Sequence, residues 1–267
     1  MDTRPIGVFD SGLGGLTAVH ELMKLLPGED IVYFGDTGRV PYGGRSDATI
    51  IKYTGEAMRF LMSQNVKAIL VACGTASSVA LEKLMPMLPV PAVGIVEPTA
   101  LEAAGATKNG RIGLIATQAT IASGVIERKI RQYAPGAQVF PLACPLFVPL
   151  VENGRIKRGD IVIETVAAEY LAPLREKDID TLVLACTHYP LLSDIISDFM
   201  GPGVTLVNSG AACAKALCSL LEGSTVDGGD GVLRCCVSDN VHGFEALASA
   251  FLRRDLDGKA ELVSVCE

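Results

Sequence analysis

Short apolar runs alternate with amphipathic, helix-like stretches along nearly the whole of this 267-residue chain, and that alternation constrains the fold more than any other feature. Residues 6–9, 31–34, 68–72, 91–95, 111–115, 138–141, 181–185, 204–207, 232–237 and 262–265 read as strands. Residues 16–26, 46–62, 77–84, 122–133, 161–171, 191–199, 211–221 and 244–252 read as helices. A strand–helix unit repeated in this way pairs its strands in parallel and lays its helices on the sheet faces. The expectation is an α/β protein built on doubly wound parallel sheets.

The pattern also contains a near-repeat. Ile6-Gly7-Val8-Phe9-Asp10-Ser11 resembles Ile112-Gly113-Leu114-Ile115-Ala116-Thr117. Val71-Ala72-Cys73-Gly74-Thr75 resembles Leu184-Ala185-Cys186-Thr187-His188 at a similar offset. Two similar α/β domains are therefore expected: residues 1–97 with 209–267, carrying Cys73, and residues 98–208, carrying Cys186. Their seams fall near 96–99 and 208–210, and the active site lies in the cleft between them. Each cysteine follows a buried-looking strand and precedes a helix-like stretch. Open α/β sheets bind ligands at that end of a strand, and the helix dipole there favours a thiolate. Taken singly, either cysteine is more often a small buried hydrophobe. Taken as a pair, they suggest two thiols facing one pocket from opposite sides, as inversion of a carbon centre requires.

Composition removes several alternatives. Twenty-three basic and 30 acidic residues give a net charge of −7, which argues against a nucleic-acid partner. No apolar run approaches the roughly 20 residues of a membrane span, and the start of the chain does not read as a secretory signal. A cytoplasmic location is expected, with the eight cysteines as reduced thiols. Cys144, Cys213, Cys218, Cys235, Cys236 and Cys266 have no partner motif. There is no Cys-x-x-Cys, and three scattered histidines suggest no metal site.

Other motifs admit two readings. Asp10-Ser11-Gly12-Leu13-Gly14-Gly15-Leu16-Thr17 is a glycine-rich turn that opens a helix, either as a tight turn or as an anion site. With Asp36 after the next strand it imitates a dinucleotide fingerprint, although Thr17 stands where that fingerprint has glycine. Asp10 can relay a proton or cap a helix. The loop from Gly35 to Ser46 is long enough to suggest function. In it Tyr42 and the Gly43 N–H can hold a carboxylate, and Ser46 caps the following helix. His188 can polarise the Cys186 thiol, hold a carboxylate or cap a helix. Glu152 by itself reads as a surface acid.

Together the Asp10 turn, Gly35-Asp36-Thr37 with Pro41-Tyr42-Gly43, the Cys73 motif and Leu184-Ala185-Cys186-Thr187-His188-Tyr189-Pro190 resemble the glutamate racemases of the cofactor-independent aspartate/glutamate racemase superfamily. The resemblance implies a two-domain enzyme without cofactor that interconverts L- and D-glutamate and supplies D-glutamate for peptidoglycan, often as a homodimer. It makes Cys73 and Cys186 the acid/base thiols, assisted by Asp10, Glu152 and His188. Asp10, Ser11, Tyr42, Gly43, Gly74, Thr75, Thr117, Thr187 and His188 then surround the substrate. One position departs from the pattern: Gly74 stands where the family usually has Asn, which removes a donor and an acceptor. That departure keeps two rivals in view, a related racemase for aspartate or another acidic amino acid, and a non-catalytic binding protein for such a ligand.

Overall fold

The computed structural model describes residues 2–226, 228–256 and 258–265; Cys266 and part of the glycine-rich 227–231 run lie outside them. Among the described residues, ten strands form two sheets. In the first are β1 (Ile6–Asp10), β2 (Ile31–Gly35), β3 (Ala68–Val71), β4 (Ala92–Gly94), β9 (Leu233–Val237) and β10 (Glu261–Leu262), in the order β10-β9-β2-β1-β3-β4. In the second are β5 (Arg111–Ala116), β6 (Gln138–Ala143), β7 (Thr181–Leu184) and β8 (Thr205–Asn208), in the order β6-β5-β7-β8. Every strand pair is parallel. The central strands read as unbroken apolar runs because they are buried on both faces.

The two sheets share one plan. The order β2-β1-β3-β4 in the first is repeated as β6-β5-β7-β8 in the second. The near-repeat at Ile6 and Ile112 therefore corresponds to β1 and β5, and the two cysteine motifs correspond to the ends of β3 and β7. In both sheets the chain direction switches between the first strand and the third, which is where doubly wound sheets open a crevice. The C-terminal strands β9 and β10 extend the first sheet beyond β2. One large apolar core runs from Ile6 and Leu70 through Ile95 and Ala100 to Ile112 and Leu184, so it joins residues of both sheets. A second, smaller core fills the outer face of the first sheet around Phe9, Phe34 and Met58.

Several elements differ from the sequence reading for identifiable reasons. The stretch at 122–133 is two helices, Gln118–Ser123 and Val125–Tyr133, because Gly124 adopts a left-handed conformation at φ +63°. Residues 96–99, read as a seam, begin the helix Val96–Ala106. Strand β6 continues through Pro141, which an edge strand tolerates. The helix Phe147–Glu152 had no clear signal, being one short turn and a half with a proline inside. Ser46 does cap the helix Asp47–Ser63, accepting from the Thr49 N–H at 3.4 Å.

Candidate active site

A cavity of about 420 Å³ opens between the carboxyl ends of the two sheets. Ser11 follows β1 and Cys73 follows β3; Thr117 follows β5 and Cys186 follows β7. All four line the cavity. Both thiols thus reach one space, one from each sheet, at equivalent points of the shared plan. Tyr42, Gly43, Gly74, Thr75, Glu152, Thr187 and His188 also line it. Asp10 is the exception: it lies 1 % exposed beneath the floor, with its carboxylate turned to the Gly12 N–H at 2.9 Å and the Thr187 hydroxyl at 3.4 Å.

The surroundings of the two thiols differ. Cys73 sits at the head of the helical run that begins at Gly74 and accepts the Ala76 N–H at 3.5 Å. It faces the Ser11 hydroxyl at 3.4 Å. These contacts favour a thiolate, yet burial and the nearby Asp10 outweigh them and push the Cys73 thiol up to about 12. Position at a helix start was expected to lower this thiol; desolvation reverses the result. Cys186 faces Nδ1 of His188 at 4.0 Å. The other nitrogen of that imidazole meets Glu152 at 2.9 Å. Burial opposes a charge on His188, but the Cys186 sulfur and the Glu152 carboxylate together push its pKa up to about 10. Burial also raises the Asp10 carboxyl, against the His188 charge and its own N–H donors.

Crossing contacts join the sheets at the site. The Thr75 and Thr117 hydroxyls lie 3.0 Å apart. A Cβ at Gly74 would stand 2.5 Å from the Ala185 carbonyl oxygen, so the two cysteine loops approach each other with no room for a side chain there. Gly74 is thus the residue on which this close approach depends.

The structure removes the dinucleotide reading. Asp36 is fully buried and accepts from Arg39, Tyr42 and Ser238, so no ribose can reach it. The first N–H groups of the helix Leu16–Leu25 bond to the carbonyls of Leu13, Gly14 and Gly15, so the turn consumes its own donors. The Tyr42 hydroxyl is likewise spent on Asp36, leaving the ring as the part that walls the cavity. Neither Asp10 nor His188 caps a helix with its side chain.

The sequence reading missed the opposite wall. Cys144, Pro145, Val148 and Pro149 line the cavity, as does Gln118. Cys144 is pushed up to about 12 by burial and by Cys186. A Cys-Pro pair directly after a strand is the local signal there, and Cys144 has no matching motif elsewhere in the chain. Among the described residues, no group of three or more His, Cys, Asp or Glu is placed to hold a metal, and no helix is long and apolar enough to cross a membrane.

Matched parallel α/β units bring two thiols, an imidazole and the Glu152 carboxylate to one cavity, a set of groups suited to acid–base chemistry. The chain belongs to the Asp/Glu/Hydantoin racemase family, whose model matches residues 23–217. It is 46% identical to the glutamate racemase of Streptococcus equi subsp. equi over 96% of this chain and 98% of that protein. It also resembles the crystal structure of the Francisella tularensis glutamate racemase in complex with D-glutamate, with a TM-score of 0.91, 36% identity and 99% of each chain covered. The Thermus thermophilus glutamate racemase, in complex with β-chloro-D-alanine, matches with a TM-score of 0.88 and 42% identity over 99% of this chain and 98% of that one.

Proposed function

We propose that this protein is a glutamate racemase that interconverts L- and D-glutamate with two thiols and no cofactor. The observation that carries the reading is the pair Cys73 and Cys186, presented to one cavity from equivalent strand ends of two sheets. One thiolate takes the α-proton, and the thiol on the other side returns a proton to the opposite face. By resemblance, Cys186 serves L-glutamate and Cys73 serves D-glutamate. The resting pair must hold one proton between them, so it titrates as a unit.

The asymmetric surroundings suit a division of labour, with an imidazole against Cys186 and a buried carboxylate near Cys73. His188, held protonated between Cys186 and Glu152, provides the neighbouring cation. Cys73, without a cation beside it, keeps its proton until the substrate ammonium arrives. The α-proton is weakly acidic and no electron sink is at hand. Hydroxyl and N–H donors about the α-carboxylate, in a closed site, stabilise the developing charge. Ser11, Thr75 and Thr117, with the Gly43 and Gly74 backbone, supply these donors, while Thr187 lines the site beside them with its hydroxyl donated to Asp10 below.

Residues 1–97 with 209–267 then act as one lobe and 98–208 as the other, closing on substrate as a homodimer in the cytoplasm. The product D-glutamate serves peptidoglycan synthesis. Optical rotation of L-glutamate incubated with the reduced protein, without added cofactor, tests the reading. Decay towards zero is expected. A flat trace, with aspartate racemised instead, replaces glutamate by its shorter homologue.

A further inference from the structure

Thr17 has no part in the cavity, yet it reaches the loop that carries Cys186. It is the second residue of the helix Leu16–Leu25, on the first sheet's side, and is 6 % exposed. Its hydroxyl lies 2.8 Å from the Thr187 carbonyl oxygen, 170 positions along the chain, and 2.9 Å from the Gly14 carbonyl. Both are acceptors, so the single hydroxyl proton is shared between them. The Thr187 carbonyl belongs to the peptide that joins Thr187 to His188. Holding that peptide plane restrains the two Cα atoms that carry the Thr187 side chain and the imidazole facing the Cys186 sulfur.

The neighbouring glycine makes the contact possible. A Cβ at Gly14 would lie 2.2 Å from the Thr187 hydroxyl and 2.5 Å from His188 Nδ1. The glycine-rich turn is therefore shaped to lie flat against the Thr187–His188 loop, with Thr17 as its fastening. Asp10, at the other end of the turn, meets the Thr187 hydroxyl from the same side. Tyr33 anchors the turn itself, donating to the Gly12 carbonyl at 2.8 Å.

We infer that Thr17 is a positioning residue for the Cys186 side of the reaction, supplied across the cleft by the sheet that carries Cys73. This rests on the two-thiol reading. Its effect is one-sided: loss of the hydroxyl loosens the imidazole beside Cys186 and leaves the Ser11–Cys73 contact in place. The barrier for proton transfer at Cys186 then rises relative to the barrier at Cys73.

The test replaces Thr17 with Val, which keeps the shape and removes the donor, and with Ser, which keeps the donor. Thr17→Ala is the second donor-free variant if Thr17→Val does not fold. For each, kcat/KM for glutamate and the primary deuterium effects on α-deuterated L- and D-glutamate are measured. Thr17→Val or Thr17→Ala should lose about tenfold in kcat/KM, less than the roughly 10²-fold that a 1 Å misplacement can cost, and Thr17→Ser should stay within about threefold of wild type. The isotope effect should grow from the L side and shrink from the D side, because the Cys186 step becomes limiting. Wild-type kcat/KM in the donor-free variants, or isotope effects that move together on both sides, overturns the inference and leaves Thr17 as a packing contact. A wild-type protein inert towards glutamate overturns the two-thiol reading instead.

Discussion

The two halves of the site share a plan and differ in charge. Cys73 and Cys186 close equivalent strands, β3 and β7, and each follows an Ala at the end of an apolar run. Around Cys73 stand a hydroxyl, a helix N–H and a buried carboxylate, and the thiol is pushed up to about 12. Around Cys186 stands an imidazole raised to about 10 by the sulfur and by Glu152. A duplicated framework thus delivers two thiols to one cavity, and later residues in each loop give them different surroundings. Fold symmetry places the thiols; local electrostatics tells them apart.

The largest expected effect comes from removing either member of the pair. Cys73→Ser and Cys186→Ser should each lower racemisation by about 10³-fold, within the usual range for a catalytic acid or base. Each variant should retain α-proton exchange only for the enantiomer that the surviving thiol faces, followed by NMR in heavy water. Equal residual exchange of both enantiomers in either variant would break the division of labour.

His188→Asn should cost about 10²-fold in kcat, and it should also change the pH dependence of stability. The folded-state pKa of His188 lies above its ordinary 6.5, at about 10. Its contribution is therefore complete below about pH 6.5 and lost as the pH rises through 10. The stability gap between wild type and His188→Asn, measured by urea unfolding, should narrow across that window. A constant gap would show that the imidazole is not the cation beside Cys186.

Gly74→Asn addresses the contact between the two loops. The new Cβ meets the Ala185 carbonyl, so the loops must part, at a cost of about 1–3 kcal/mol for an overpacked site. We expect a lower melting temperature and a loss of about tenfold in kcat/KM. An unchanged melting temperature would mean that the Cys73 and Cys186 loops adjust freely. The smallest effect belongs to Tyr42→Phe, which removes one donor to Asp36 and should cost about 1 kcal/mol of stability, with little change in kcat.

Much of the fold could be read from the chain. Apolar strands of four to six residues between amphipathic stretches leave few alternatives to parallel sheets, and the near-repeat at Ile6 and Ile112 matches the shared strand order. Cys73 and Cys186 were legible through their paired setting, whereas Cys144 was not. What stayed hidden was decided by tertiary contact. Nothing local to Asp36 says that Arg39, Tyr42 and Ser238 will consume its oxygens. Nothing local to the glycine-rich turn says that its glycines admit Thr187 and His188 rather than a phosphate. The Cys144–Pro149 wall was missed because its residues become a surface only when the short helix Phe147–Glu152 folds over the strand ends.

A two-thiol racemase must act on one carbon from both sides. The most direct measurement is the isotopic content of both enantiomers early in the reaction of L-glutamate in heavy water. Deuterium should appear at the α-carbon of the D-glutamate formed, with the remaining L-glutamate still protiated. Protium carried into the product, or deuterium entering the L-glutamate before any D-glutamate appears, would contradict the two-thiol reading.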